Sequence, residues 1–459
     1  MRFGAALGLK LVTLSMVFTA PSYAHTETQY PKIEETNKIA HSLMTVLGQC
    51  PNRLWPDLKL QSMDILLINK EMTRQILVSP KSQTISTIPN EELPPHVFQT
   101  SYSRIPYQGR EILYVDSQFG VFKPGLPSKA LELAIHEGFH MVDQRSWAEE
   151  KARVRGTWVP LLVQPRIARA MLYKNLVLVA KSKGDVQVHL QNARYWYDEW
   201  LKADPTEKAM STDQREGTAR YVEAVAEVLK ARGCSATEEE ISKDIINSSL
   251  LNGHHAVGFR ELDTEGYFVG GVASFILRSQ YSAVDWQSRV AKGETPVEIL
   301  LKDIAPLAET ADSSLVAGIN KELKKLNDRI SEDLAPTRNL LKQEDVVFVS
   351  VPAAALKTSF SPKGFYLGRD EGLRYTPLAK ELKFQFQNQQ NSLLADPNSV
   401  FIRFQAGVPC ELGWTFALKS ADVIARAGVF EIKSELFSGR VEGVVMKDTS
   451  NRPWICVQP

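Results

Sequence analysis

The spacing of apolar positions changes twice along the chain. From Asp57 to about Gln118 they fall in short runs, Met63 to Ile68, Gln75 to Val78 and Arg110 to Val115, punctuated by Pro, Gly and Asn. Runs of this length and β-rich composition predict strands. Past Pro127 the apolar residues recur at helical spacing. Ser128 is placed to cap a helix reaching about Trp147, and further helices are predicted at about 165–203, 214–232, 237–250, 268–280 and 313–333. Gly233, directly after Arg232, supplies a C-terminal stop. Around Pro336 the short runs return: Val346 to Val351, Phe384 to Gln387, Val400 to Phe404, Trp414 to Leu418, Val429 to Ile432 and Val441 to Val445. They read as a separate all-β unit, a sandwich or barrel. The expected fold class is therefore α+β. A β-rich part at 57–118 and an α-rich part at 128–335 form one region, 25–335, and an all-β domain follows at 336–459.

The first 24 residues stand outside that scheme. Arg2 and Lys10 precede or flank an apolar run from Leu11 to Ala20, and Ser22-Tyr23-Ala24 has the small-x-small form of a cleavage site. This is the layout of a secretory signal peptide, residues 1–24, and the run is too short for a spanning helix. The expected product is soluble and exported, periplasmic or extracellular. Cys50, Cys234, Cys410 and Cys456 suit that compartment: an even number, far apart, with no CxxC pair. Three pairings are possible, and Cys410–Cys456 with Cys50–Cys234 is preferred because the last two lie in one region. Composition is ordinary for a globular chain, with 44% hydrophobic and 23% charged residues. A balance of 54 basic against 53 acidic residues argues against nucleic acid as a partner.

The chemistry concentrates in His136-Glu137-Gly138-Phe139-His140, an HExxH inside the first long predicted helix. Residues four apart share a helix face, so both imidazoles can reach one metal ion. Glu137 falls beside that face, where it can take a proton from water. A catalytic zinc needs a third protein ligand and one open position. Glu216, at the start of a later helix, is a candidate. Glu223 is two turns along the same face, and spacing alone does not separate them. Gly138 inside the helix marks a close approach. Tyr267 can donate to a developing oxyanion, a role for which His254 and His255, in a Gly-flanked loop, compete. Asp143 is either an orienting group or solvated. Tyr195-Trp196-Tyr197 with Trp200, and Trp147 with Trp158, read as core or groove wall.

HExxH, then Glu216-Gly217-Thr218-Ala219 on a later helix, then Tyr267-Phe268-Val269-Gly270, resembles the gluzincin metallopeptidases, in particular the aminopeptidase N-like branch, over about 128–280. The resemblance implies a zincin-like catalytic domain, Glu216 as the third zinc ligand beside His136 and His140, Glu137 as general base, and Tyr267 as stabiliser of the tetrahedral intermediate. It departs from the branch in two ways. Seventy-five residues separate His140 from Glu216, enough for an inserted helical hairpin, and the Gly-Ala-Met-Glu-Asn motif that holds a free N-terminus in that branch is absent. The expected function is an exported metallopeptidase with one Zn2+ per chain, acting on a peptide or protein substrate laid along an edge strand. Two alternatives stand beside it: a binding or structural protein whose C-terminal β domain docks a partner over a vestigial metal site, and a zinc hydrolase of non-peptide amides.

Overall fold

The computed structural model describes residues 33–458 apart from 99, 122–127, 148–155, 211, 261, 282–284, 353–361, 370, 385, 387–390, 405–407 and 411–412. The expected leader, 1–24, lies outside the described residues. Helices α1 (Ile33–Leu43) and α2 (Pro51–Leu54) lead into five strands, β1 (Ile65–Ile68), β2 (Arg74–Ser79), β3 (Thr84–Pro89), β4 (Tyr102–Tyr107) and β5 (Arg110–Asp116). The sheet order is β3-β2-β1-β5-β4, with β1 and β5 parallel and the other pairs antiparallel. Every residue of β1 is buried because both faces are covered. Ile65, Leu67, Leu113 and Val115 face the helices. Leu66, Ile68, Ile112 and Tyr114 face a smaller core closed by Leu93, Val97 and Ile105.

Helix α3 (Ala130–Val142) packs on β5. It comes close enough that a Cβ on Gly138 would meet Leu60 Cδ1 at 2.6 Å and Leu113 Cδ2 at 3.3 Å. After β6 (Thr157–Val159) the predicted helix at 165–203 is in fact two, α4 (Val163–Ala180) and α5 (Val186–Ala203). Ser182 (φ 48°) and Gly184 (φ 69°) reverse the chain between them, and the Asp185 carboxylate caps α5 through Gln187 N and Val188 N. This antiparallel hairpin occupies the long stretch between His140 and Glu216. Trp196 and Trp200 are buried on it, their indoles donating to Glu309 and Glu207, while Trp147 packs against Trp55 and Phe139.

Then come α6 (Glu207–Met210), α7 (Arg215–Arg232), α8 (Glu238–Asn247), α9 (Leu262–Gln280), α10 (Trp286–Ala291), α11 (Pro296–Leu301) and α12 (Ser313–Leu340). α7 ends at Gly233 with φ 78°. α9 begins six residues before the predicted start at 268, so Tyr267 lies within it. α12 runs through Pro336 instead of stopping before it. An interior proline costs about 3 kcal/mol, but Ile330, Leu334 and Thr337 are buried on the core side, and that packing carries the helix past it.

The C-terminal strands are β7 (Val346–Pro352), β8 (Tyr366–Gly368), β9 (Leu373–Pro377), β10 (Leu382–Phe384), β11 (Ser392–Ala395), β12 (Val400–Phe404), β13 (Gly413–Lys419), β14 (Val423–Arg426), β15 (Val429–Lys433), β16 (Phe437–Lys447) and β17 (Pro453–Val457). The predicted run at Phe384 to Gln387 falls partly outside the described residues. This sheet-rich unit does not stand apart. β6, from the α-rich part, joins it by pairing parallel with β8. Alternation divides its residues between two cores. Val347, Val349, Val351, Phe401, Phe416 and Ile455 meet Phe430, Phe437 and Val441 inside the unit. Val346, Phe348, Val400, Ile402 and Trp454 face the other way and join the helical core. One face of the C-terminal sheet thus packs on the helices and the other closes the unit's own core. Disulfides link Cys50 to Cys234, at the foot of α7, and Cys410 to Cys456. Among the described residues, no helix is long and apolar enough to cross a membrane.

Candidate metal centre

His136 and His140 project from one face of α3, 8% and 7% exposed, towards Glu216 in the first turn of α7. Glu216 Oε2 lies 3.2 Å from each Nε2, and the two Nε2 atoms are 3.0 Å apart. What these atoms offer follows from the far side of each ring. His140 Nδ1 is 2.6 Å from Gln144 Oε1. The Gln144 amide is fixed in that sense because its Nε2 donates to Arg215 O and Thr218 Oγ1, both at 2.9 Å. Nδ1 of His140 therefore carries the hydrogen and Nε2 a lone pair. A contact from Arg215 Nε at 3.5 Å is too long to compete. His136 Nδ1 faces Glu223 Oε2 at 3.3 Å, an electrostatic contact rather than a well-aligned hydrogen bond, since Nδ1 finds no partner of good geometry. The carboxylate favours the hydrogen on Nδ1 here too.

Three lone-pair donors thus converge, which is repulsive unless a cation lies among them. Their separations come close to the edge of a zinc tetrahedron, about 3.3 Å for bonds of about 2.0–2.1 Å. His136, His140 and Glu216 fit such an ion and are the described residues that could hold one.

Two devices bring Glu216 to the histidines. Gly217 sits back to back with α9: a Cβ there would fall 2.5 Å from Gly270 Cα and 2.8 Å from Gly266 O. The small residue after Glu216 and those flanking Tyr267 are therefore one helix crossing. Beneath it lies a buried charge cluster. Arg169 on α4 holds both oxygens of Asp213 at 2.6 and 2.7 Å, just ahead of α7. Arg166 and Arg169 hold Glu265, two residues before Tyr267, at 2.7 and 3.3 Å. The inserted hairpin thus braces the starts of both α7 and α9. Burial pushes the Glu265 carboxyl up to about 7, against the pull of Arg166 and Arg169.

The Tyr267 ring stacks parallel to His136, with centroids 5.6 Å apart. Tyr267, Glu137, Lys129, Arg220, Glu223 and Phe268 line one cleft of about 440 Å³, in which Glu137 is half-buried. Glu223 stands on the far side of His136 from Glu216 and pairs through its other oxygen with Arg220. Burial lowers the Arg220 pKa, against the pull of Glu132 and Glu227.

Asp143 does neither of the things expected of it. It is 5% exposed and accepts from Lys59 N (2.7 Å) and Leu60 N (3.0 Å), tying the chain before β1 to the end of α3. Burial pushes its pKa up to about 6 against those two hydrogen bonds. His254 and His255 are exposed on a short turn and line other cavities, not this cleft. Sequence reasoning missed Gln144, whose signal is its place one turn beyond His140, and missed Arg220 and Phe268 as cleft walls. Comparison with family models, with curated proteins and with solved structures finds no match.

Proposed function

We propose that this chain is an exported zinc-dependent hydrolase that cleaves peptide bonds, with His136, His140 and Glu216 as metal ligands. The convergence of three lone-pair donors, both imidazoles turned by acceptors behind them, supports this reading most directly. Zinc bound there would supply Lewis acidity towards a carbonyl oxygen and towards water. Glu137, half-buried in the same cleft, takes a proton from water on its carboxylate and returns it to the leaving nitrogen. Tyr267 donates its phenolic hydrogen to the carbonyl oxygen as that oxygen gains charge. Its stacking on His136 fixes the ring at that wall of the cleft. β4, an edge of the five-stranded sheet next to β5, is the strand on which an extended peptide would lie.

The experiment joins elemental analysis to digestion of a broad peptide library by the purified mature protein. About one zinc per chain is expected, lost in His136→Ala and His140→Ala and kept in Glu137→Gln, which removes the base and not a ligand. Library cleavage should disappear in all three variants. Full metal content in both histidine variants, or cleavage untouched in Glu137→Gln, overturns the reading. A zinc-loaded chain that cleaves no peptide returns the choice to a non-peptide amide or a binding role.

A further inference from the structure

Gln144, Gln214 and Thr218 are 1%, 4% and 0% exposed, so each polar hydrogen between the end of α3 and the start of α7 needs a protein acceptor. Their contacts leave one arrangement. Thr218 Oγ1 gives its only hydrogen to a backbone carbonyl, Gln214 O at 2.6 Å or Arg215 O at 3.3 Å. Towards Gln144 Nε2 that oxygen can therefore only accept. Arg215 O, also 2.9 Å from Nε2, has no hydrogen to give. Two acceptors thus turn the amide, and its oxygen is left to face His140 Nδ1 at 2.6 Å. Hydrogens run one way, from the His140 ring through Gln144 and Thr218 to the α7 backbone. Gln214 is pinned in turn, since its Nε2 donates to Val290 O at 2.6 Å.

The same side chain reaches two ligands. Arg215 O and Thr218 Oγ1 stand on either side of Glu216 in the first turn of α7. Gln144 therefore sets the ring of His140 and grips the turn that carries Glu216. His136 has no counterpart to this clasp, because its Nδ1 finds no aligned hydrogen bond.

We propose that Gln144 is a positioning residue, turned by Thr218, that assembles the metal site before the metal arrives. The proposal rests on the zinc reading above and deepens it, naming what holds two of the three ligands in register in the metal-free chain. With Nδ1–H engaged, His140 keeps Nε2 bare and aimed at His136 and Glu216, 3.0 and 3.2 Å away. An ion then binds without first turning that ring or shifting α7, and affinity is not lost to ordering.

Two measurements on the full mature chain test this. The first is nitrogen–proton correlation of the histidine side chains in metal-free protein, at about pH 9, where an ordinary imidazole is neutral. The His140 signals are those that vanish in His140→Ala. Wild type and Gln144→Glu, which keeps an acceptor, should show His140 protonated at Nδ1 and bare at Nε2. Gln144→Met, of similar length but without the amide, should show both tautomers. The second is competition against a zinc chelator. Gln144→Met should bind zinc about 10–100-fold more weakly. Thr218→Ser, which keeps the hydroxyl, should stay within about twofold of wild type, and Thr218→Val should be at least about threefold weaker than Thr218→Ser. That last pair decides if Gln144→Met does not fold. A wild type with Nδ1 bare, a Gln144→Met with unchanged tautomer and zinc affinity, or equal affinities for Thr218→Val and Thr218→Ser overturns the proposal. The expected tautomers in a chain that binds no zinc would defeat the zinc reading and leave the orienting role of Gln144 standing. Tight zinc binding that ignores Gln144 would defeat the positioning role alone.

Discussion

His140 rests its Nδ1 on a neutral amide, whereas His136 turns its Nδ1 towards a carboxylate that Arg220 also claims. The two rings are thus oriented by partners of different strength, and Glu216 and Glu223 have different duties although both are buried acids on α7. Glu216→Ala removes a donor. Glu223→Ala removes only the group behind His136, a loss that typically costs about 10–100-fold in metal affinity. Competition against a zinc chelator should therefore show the larger loss for Glu216→Ala. A reversed order would exchange their roles. Tyr267 makes a separate case, because a donor that strengthens only as the oxyanion develops contributes to kcat and little to ground-state binding. Tyr267→Phe keeps the stack on His136, so zinc content and melting temperature should hold while kcat falls about 10²–10³-fold. Turnover close to wild type would take the phenol out of the mechanism.

Between elements, the decisive contact is the crossing of α7 and α9 at Gly217, Gly266 and Gly270. On intrinsic propensity, Gly270→Ala should stabilise a helix by about 1 kcal/mol. The crossing reverses that sign. The new Cβ would lie 2.0 Å from Asp213 O and 2.7 Å from Asp213 C, backbone atoms that cannot step aside. Overpacking of this kind costs about 1–3 kcal/mol, and relief requires α9 to move away from the start of α7. The expected outcome is a lower melting temperature together with weaker zinc retention, since the segment displaced leads directly to Glu216. A melting temperature raised by the substitution would show that the helices do not meet there.

Across the whole molecule, the helical core extends without a break into one face of the C-terminal sheet, and β6 crosses over to pair with it. Surfaces buried against each other in this way unfold together. Differential scanning calorimetry of the mature chain should give one transition; two well-separated ones would restore an independent β domain. The disulfides strengthen the same unity, each by about 2–4 kcal/mol. One ties the segment before α2 to the end of α7 and the other joins β17 to the loop before β13. The denatured, unreduced protein should therefore show no free thiol, with peptide mapping linking Cys50 to Cys234 and Cys410 to Cys456.

Local periodicity was enough for several of these features. Alternating and helical spacing announced strands at Met63 to Ile68 and Arg110 to Val115, the helix around His136, and the stop at Gly233, because each depends on residues within a turn or two. The i, i+4 spacing of His136 and His140 likewise placed both rings on one side of α3. The Cys410–Cys456 and Cys50–Cys234 links could be preferred in advance because compartment and chain position narrow the choices. Other features were decided only by the tertiary structure. The break of 165–203 into two helices, α12's passage through Pro336 and β6's membership of the distant sheet each reflect burial against partners far along the chain. So do the positions of Glu216 and Glu223 on opposite sides of His136, two turns apart on one helix and equal by spacing. A helix face is set by neighbours three and four residues away, but which atom on that face meets an imidazole is set by a crossing of three glycines and a buried arginine pair, and no local pattern encodes that.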